Sequence, residues 1–270
     1  RLLPGDRVEF DDFEELREDG HTDYLGMPLW FYGELMGMVS YTTRAPGGFT
    51  EAQLAALGAT KPSLQLVLQA LKQRETMETL LKTYLGHDPG ARVGQGQVRR
   101  GHGQTVRSAI WFSDLRDFTG LNERLPGAQL LELLNNYLQL VGDALSANGG
   151  EILKFIGDGV MAFWGAPALL EDHAWRSCVS AVRILRGMEG LNAGWKQDGK
   201  RPLRVRIGIH SDAVLVGNIG SRGRMSYTVM GDGVNIAARL EGTNKEFGTQ
   251  VIISHAVFKE AGQLLCVRPI

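Results

Sequence analysis

Cysteine is scarce in this chain: Cys178 and Cys266 are the only two among 270 residues. Their separation matches no metal-ligand spacing and they cannot staple a framework. A disulfide scaffold and a zinc module are therefore excluded, and a reducing, cytoplasmic compartment is expected. Long apolar runs are lacking too. With no stretch of about 18 consecutive apolar residues, no membrane span is expected. Neither sign of charge is in excess, with 29 Lys and Arg against 30 Asp and Glu, so no broad attraction to nucleic acid or an acidic lipid surface arises. Any bound phosphate must be held by local groups. The first residue is arginine and no signal-peptide pattern follows, so the sequence is expected to be a segment of a longer chain. Apolar residues are plentiful at 43%, enough for a core in one large or two small domains. Glycine is plentiful as well, at 35 residues against a usual share of roughly 7%, which points to many turns or close backbone approaches.

The pattern divides the chain into a small α/β module over 1–60, a helical linker over 61–104 and a larger domain over 105–270. In the first, MPLWFYGELMGMVSY reads as two strands around Gly33-Glu34, and Thr50 with Gln53 makes a capping box at a helix start. Pro62 is expected to interrupt or restart that helix. Leu64, Val67, Leu71, Leu81 and Leu85 share a heptad register broken by Arg74 and Glu78, a pattern that fits a short parallel coiled coil or an ordinary amphipathic helix. Residues 86–104, rich in glycine and basic side chains, read as a linker.

Strands and helices alternate in the larger domain. SAIWFSD reads as a strand ending in a carboxylate. A helix presenting Leu130, Leu133, Leu134, Tyr137, Val141 and Leu145 follows and stops at Asn148-Gly149-Gly150. EILKFI and VMAFW form a hairpin around Gly157-Asp158-Gly159, and the next helix presents Ala174, Cys178, Val182, Leu185 and Met188. LRVRIGIH, AVLVGNIG and MSYTVM read as strands, VNIAARLEGTNKEFG as a helix capped by Asp232, and TQVIIS as a last strand. The order predicts an α/β (α+β) sandwich with helices covering one face of a largely antiparallel sheet.

Asp-Gly is foremost a turn signal, so Asp158 alone says little. Asp114, at the end of an apolar strand, supplies a second carboxylate. Two such groups brought together raise a pKa or demand a cation, and oxygen ligands on a rigid sheet suit Mg²⁺ or Mn²⁺. Asn235 and Arg239, four apart, lie on one helix face. Lys154, four residues before Asp158, shares its face if the strand alternates, at about 13 Å by the roughly 3.3 Å rise per residue.

Together FSDLRDFT, KFIGDG and YTVMGDGVNIAARLE resemble the class III nucleotidyl cyclases, in the family's order and over roughly residues 105 to 260. The resemblance implies a ferredoxin-like fold acting as a head-to-tail homodimer on ATP, with two metal ions, Mg²⁺ or Mn²⁺, per site. By motif position Asp114 and Asp158 would be the metal ligands, Asn235 would orient the ribose and Arg239 would stabilise the transition state. Phe118 and Thr119 would lie in the loop facing the triphosphate. Lys154 and Thr228 would read adenine, since guanine-specific members usually carry Glu and a smaller polar residue at those positions. Thr228 is shared with members that resemble bicarbonate-responsive cyclases, which implies bicarbonate or another small-molecule regulator. Asp117 and Asp212 depart from the family, which usually has glycine at both, and the family's triphosphate-binding lysine has no counterpart before Ile270. Residues 1–60 resemble the C-terminal part of a GAF-type sensor. The alternatives are a guanylate or relaxed-specificity cyclase, and a degenerate regulator that binds nucleotide without turnover.

Overall fold

In the computed structural model, the described residues are 11–96, 103–166, 169–197, 202–221, 223–261 and 265–270. Two compact units are present, Arg1–Thr79 and Leu80–Ile270.

The first unit contains α1 (Asp11–Glu18) and an antiparallel hairpin of β1 (Asp23–Phe31) and β2 (Glu34–Thr43). Tyr32 and Gly33 make the turn with φ of 46° and 85°, the left-handed pair that suits a two-residue hairpin loop. The next helix, α2 (Glu51–Leu85), begins at the expected capping box, with Thr50 N–H donating to Gln53 Oε1 at 2.9 Å and Gln53 N–H to Thr50 Oγ1 at 3.3 Å. Pro62 does not break it. Contacts to the hairpin hold the helix on both sides of the proline: Thr60 Oγ1 lies 3.5 Å from Tyr41 Oη, and Gln65 Nε2 donates to Trp30 O at 3.1 Å.

The second unit opens with a helix that glycine-rich composition concealed, α3 (His87–Gly94). It packs back on the end of α2 so tightly that a Cβ on Gly90 would lie 2.6 Å from the Leu81 carbonyl, while Leu81 Cδ1 faces Gly94. Leu81 therefore packs within its own chain, and the exposed part of the heptad seam is Val67, Leu71 and Leu85.

Six strands form the sheet: β3 (Gly103–Leu115), β4 (Glu151–Ile156), β5 (Gly159–Trp164), β6 (Val205–Gly220), β7 (Met225–Met230) and β8 (Val251–Ile253). Their order is β4-β5-β3-β6-β7, with β8 also beside β6; every pairing is antiparallel except β6 with β8. The segments read as two strands, LRVRIGIH and AVLVGNIG, are one 16-residue strand that pairs continuously with β3.

The helices are α4 (Phe118–Asn122), α5 (Gly127–Ser146), α6 (His173–Gln197), α7 (Asp232–Phe247) and α8 (His255–Ala261). One core joins α5, α6 and α8 to the sheet face bearing Trp111, Val160, Trp164, Ile207 and Ile209. The buried stripe of α6 runs through Ala174, Cys178, Ala181, Ile184 and Met188, whereas Val182, expected on it, is exposed. A smaller core on the opposite face joins Ala237 of α7 to Ile110, Met161, Phe163 and Val214. Helices thus cover both faces, because VNIAARLE buries its small Ala237 on the side opposite α5 and α6. The contact needs glycine beneath it: a Cβ on Gly208 would lie 2.2 Å from Glu241 N and 2.4 Å from Ala237 O.

Candidate active site

Odd-numbered residues of β3, such as Trp111 and Leu115, enter the larger core, so Asp114 projects to the α7 face. Its register partner on β6 is Arg206. The Arg206 guanidinium lies 2.5 Å from Asp114 Oδ2 and, through Nε, 2.8 Å from Glu241 Oε1 of α7. The contact with Glu241 is close but poorly aligned for a hydrogen bond. Burial pushes the Glu241 carboxyl up, and the neighbouring Arg206 charge opposes that shift.

Asp158 reaches the same place from the β4–β5 turn, where Gly157 adopts φ 66°. The expected hairpin is present, but Asp158 lies beyond the end of β4 and a register shift falls between Ile152 and Lys154. Simple alternation therefore does not carry from Lys154 to Asp158. Leu115 N–H donates to Asp158 Oδ2 at 3.0 Å and ties the turn to the end of β3. Burial, then the hydrogen bond and charge of Asp114, push the Asp158 carboxyl up to about 6. A pair that resists double ionisation in this way is a natural seat for a cation.

The two carboxylates open on a polar cavity of about 430 Å³, which Phe118, Thr119, Arg124 and Arg206 also line. Its rim turns at Asp117, the residue before α4, with φ 62° and ψ 27°. Glycine takes this left-handed conformation without strain and aspartate is among the few other residues that tolerate it, which accounts physically for the departure noted at this position.

The remaining site residues lie elsewhere on the chain. Lys154 is exposed on edge strand β4, and Thr228 is half-buried on β7 at the other edge, paired with Gly217. Arg206 and Gly217 are 11 residues apart on β6, about 36 Å at roughly 3.3 Å per residue, so Thr228 and Asp114 belong to opposite ends of that strand. Asn235 and Arg239 are exposed on α7 and do not line the carboxylate cavity. Asp232 is the first residue of α7 rather than its cap; Gly231, with φ 148°, precedes the helix in a conformation closed to aspartate. Asp212 lies against Gly233 of α7, its Oδ2 4.0 Å from His210 Nε2.

Sequence reading missed Arg206, Glu241 and Arg124. Arg206 was accessible in principle, since the even positions of VRIGIH share the face of Asp114 once β6 is known to pair with β3. A separate Ser–His–Glu cluster has no nucleophilic role. Ser211 Oγ donates to Glu260 Oε2 at 2.6 Å and His173 Nε2 lies 3.1 Å from the same hydroxyl. Ser211 is buried and its hydroxyl is committed to the glutamate, while His173 Nδ1 faces Leu170 O at 2.8 Å.

The family model for the adenylate and guanylate cyclase catalytic domain matches residues 102–262. The chain is 36% identical over 159 residues to adenylate cyclase 1 of Rhizobium meliloti (strain 1021), covering 59% of this chain and 24% of that protein. The chain thus spans about a quarter of that relative's length. Among solved structures, the adenylyl cyclase CyaB from P. aeruginosa superposes with a TM-score of 0.57 at 33% identity, covering 61% of this chain and 85% of that one. The guanylyl cyclase Cya2 does so with a TM-score of 0.54 at 33% identity, covering 61% and 81%.

Proposed function

We propose that this chain, which belongs to the adenylate and guanylate cyclase catalytic domain family, converts ATP to 3′,5′-cyclic AMP and pyrophosphate at sites shared by two copies arranged head to tail. The observation that carries the reading is the meeting of Asp114 and Asp158 in one polar cavity. Among the described residues no third His, Cys, Asp or Glu completes a protein cage. Two carboxylates suit Mg²⁺ or Mn²⁺, which draw their other ligands from water and substrate phosphates. When bound, two such ions lower the pKa of the ribose 3′-hydroxyl and clamp the triphosphate.

The protein's own groups do the rest. Attack of the 3′-oxygen on the α-phosphorus forms the cyclic diester, and the bond to pyrophosphate breaks. The Arg206 fork lines the same cavity beside Asp114, where it would meet phosphate oxygens. Phe118 and Thr119 line the same cavity and would meet the triphosphate there. Asn235 orients the ribose, and Arg239 stabilises charge that develops on the α-phosphoryl group. Lys154 donates to a ring nitrogen of adenine, and Thr228 reads its exocyclic amine. These four lie outside the carboxylate cavity of their own chain, which supports a site completed by a second copy. Residues 1–60 serve as part of a sensor of GAF type in a cytoplasmic signalling protein, with bicarbonate or another small molecule as regulator.

The test is to incubate the chain with Mn²⁺ and either ATP or GTP and quantify both cyclic nucleotides beside an Asp158→Ala control. Cyclic AMP from ATP that vanishes in the control is expected. Cyclic GMP in equal or greater yield would replace the reading with a guanylate or relaxed-specificity cyclase, and nucleotide binding without pyrophosphate release with a regulatory dimer.

A further inference from the structure

We propose that Asp212 is a positioning residue: matched to Gly233, it fixes where α7 begins on β6, and so where Asn235 and Arg239 stand. The inference rests on the cyclase reading and deepens it. Helix α7 meets β6 along one stripe, Gly233, Ala237 and Glu241, each four residues from the next. Towards the end of the stripe the glycine is on the strand, where Ala237 O and Glu241 N close over Gly208. At its start the glycine is on the helix. A Cβ on buried Gly233 would lie 2.7 Å from the Asp212 Cβ, 3.0 Å from Asp212 Oδ2 and 3.3 Å from His210 Cδ2. Two even-numbered side chains of β6 therefore straddle the first turn of α7, and Asp212 fits there only because residue 233 has no side chain. The helix does not cap itself, since Gly231 precedes it and has no side chain to offer. Asp212 Oδ1 accepts the Ala213 N–H at 2.8 Å, which holds the carboxylate with Oδ2 against the helix start, where a negative charge is favoured. Glycine, the family's usual residue at 212, supplies neither the contact nor the charge. Asn235 and Arg239 each lie two residues beyond a contact position, exposed on the same helix, so a shift of the stripe moves both.

A double-mutant cycle on the full chain tests the match without requiring turnover. Alanine in place of a helical glycine ordinarily stabilises, yet Gly233→Ala should lower the melting temperature by about 3 °C or more because its methyl meets Asp212. In an Asp212→Gly background the same change should raise it. In an Asp212→Ala background, which keeps the obstructing Cβ, it should not. Positioning is read from kinetics with Mn²⁺ and ATP. Asp212→Asn keeps the volume and removes the charge; it should lower kcat about twofold to fivefold, the size of one charge at a helix end, and leave the KM for ATP unchanged. Hydrogen exchange at the Val234 and Asn235 amides should quicken in the same variant. A cycle without reversal of sign overturns the proposal, and so does wild-type kcat in both Asp212→Asn and Asp212→Gly. Reversal of sign with faster exchange, in a chain that forms no cyclic nucleotide, would uphold the seating of α7 while refuting the cyclase reading.

Discussion

Replacing Asp158 with asparagine should make the metal-free protein more stable while ending its activity. Burial and the adjacent Asp114 lift the Asp158 carboxyl from its ordinary 3.8 to about 6. A raised carboxyl pKa contributes stability that is fully present below the unfolded value, near 4, and lost as pH rises through the folded value. Two pH units correspond to roughly 3 kcal/mol at about 1.4 kcal/mol per unit, and partial solvent access reduces this to about 1–2 kcal/mol. Asparagine is never ionised, and its carbonyl can still accept the Leu115 N–H that now meets Oδ2 at 3.0 Å. Thermal melts in EDTA should therefore show the wild type losing stability between pH 4 and pH 7 relative to Asp158→Asn. The variant should melt about 2–8 °C higher at pH 8, as expected for a unit of this size. Mn²⁺ should raise the wild-type melting temperature at pH 8 and leave the variant nearly unmoved. Parallel curves in EDTA, with no gain for asparagine at pH 8, would refute the claim that the two carboxylates strain one another.

Other outcomes follow from the same geometry. Gly208→Ala should cost about 3 kcal/mol or more, because its methyl meets α7 backbone at 2.2 Å and 2.4 Å; urea denaturation would measure it. Lys154→Glu combined with Thr228→Cys should move the ATP-to-GTP preference at least tenfold toward GTP in kcat/KM, roughly one exchanged hydrogen-bond pair. Leu71→Lys, at an exposed position of α2, should weaken self-association in sedimentation equilibrium without lowering the melting temperature of the catalytic unit.

The elements were legible where local chemistry decides them. The Thr50–Gln53 box, the hairpin around Gly157-Asp158-Gly159 and the α5 stripe from Leu133 to Leu145 each follow from a few neighbouring residues and stand where expected. What the sequence concealed depends on partners far along the chain. α3 is hidden by its glycines, which are there for close packing on Leu81 rather than for flexibility. The unity of β6 is hidden because His210 through Ala213 reads as a break, yet β3 supplies partners across all four residues. Pro62 is tolerated because hairpin contacts grip the helix on either side. At the site, motif order picked out Asp114 and Asp158, and the fold brings them together. Arg206, Glu241 and Arg124 escaped notice since nothing local distinguishes an arginine facing a carboxylate from one facing water.

One consequence of the long strand β6 concerns symmetry. It carries Arg206 near one end and, through Gly217, holds Thr228 near the other. On the proposed assignment, the span between the phosphate-facing and base-facing halves is set by a ladder of backbone hydrogen bonds, not by the contact between copies. In a head-to-tail pair each copy then acts as a ruler of fixed length, and the only adjustable quantity is how the two rulers are laid against each other. If two copies pair head to tail as proposed and keep their two-fold symmetry, a movement of one against the other changes both sites alike.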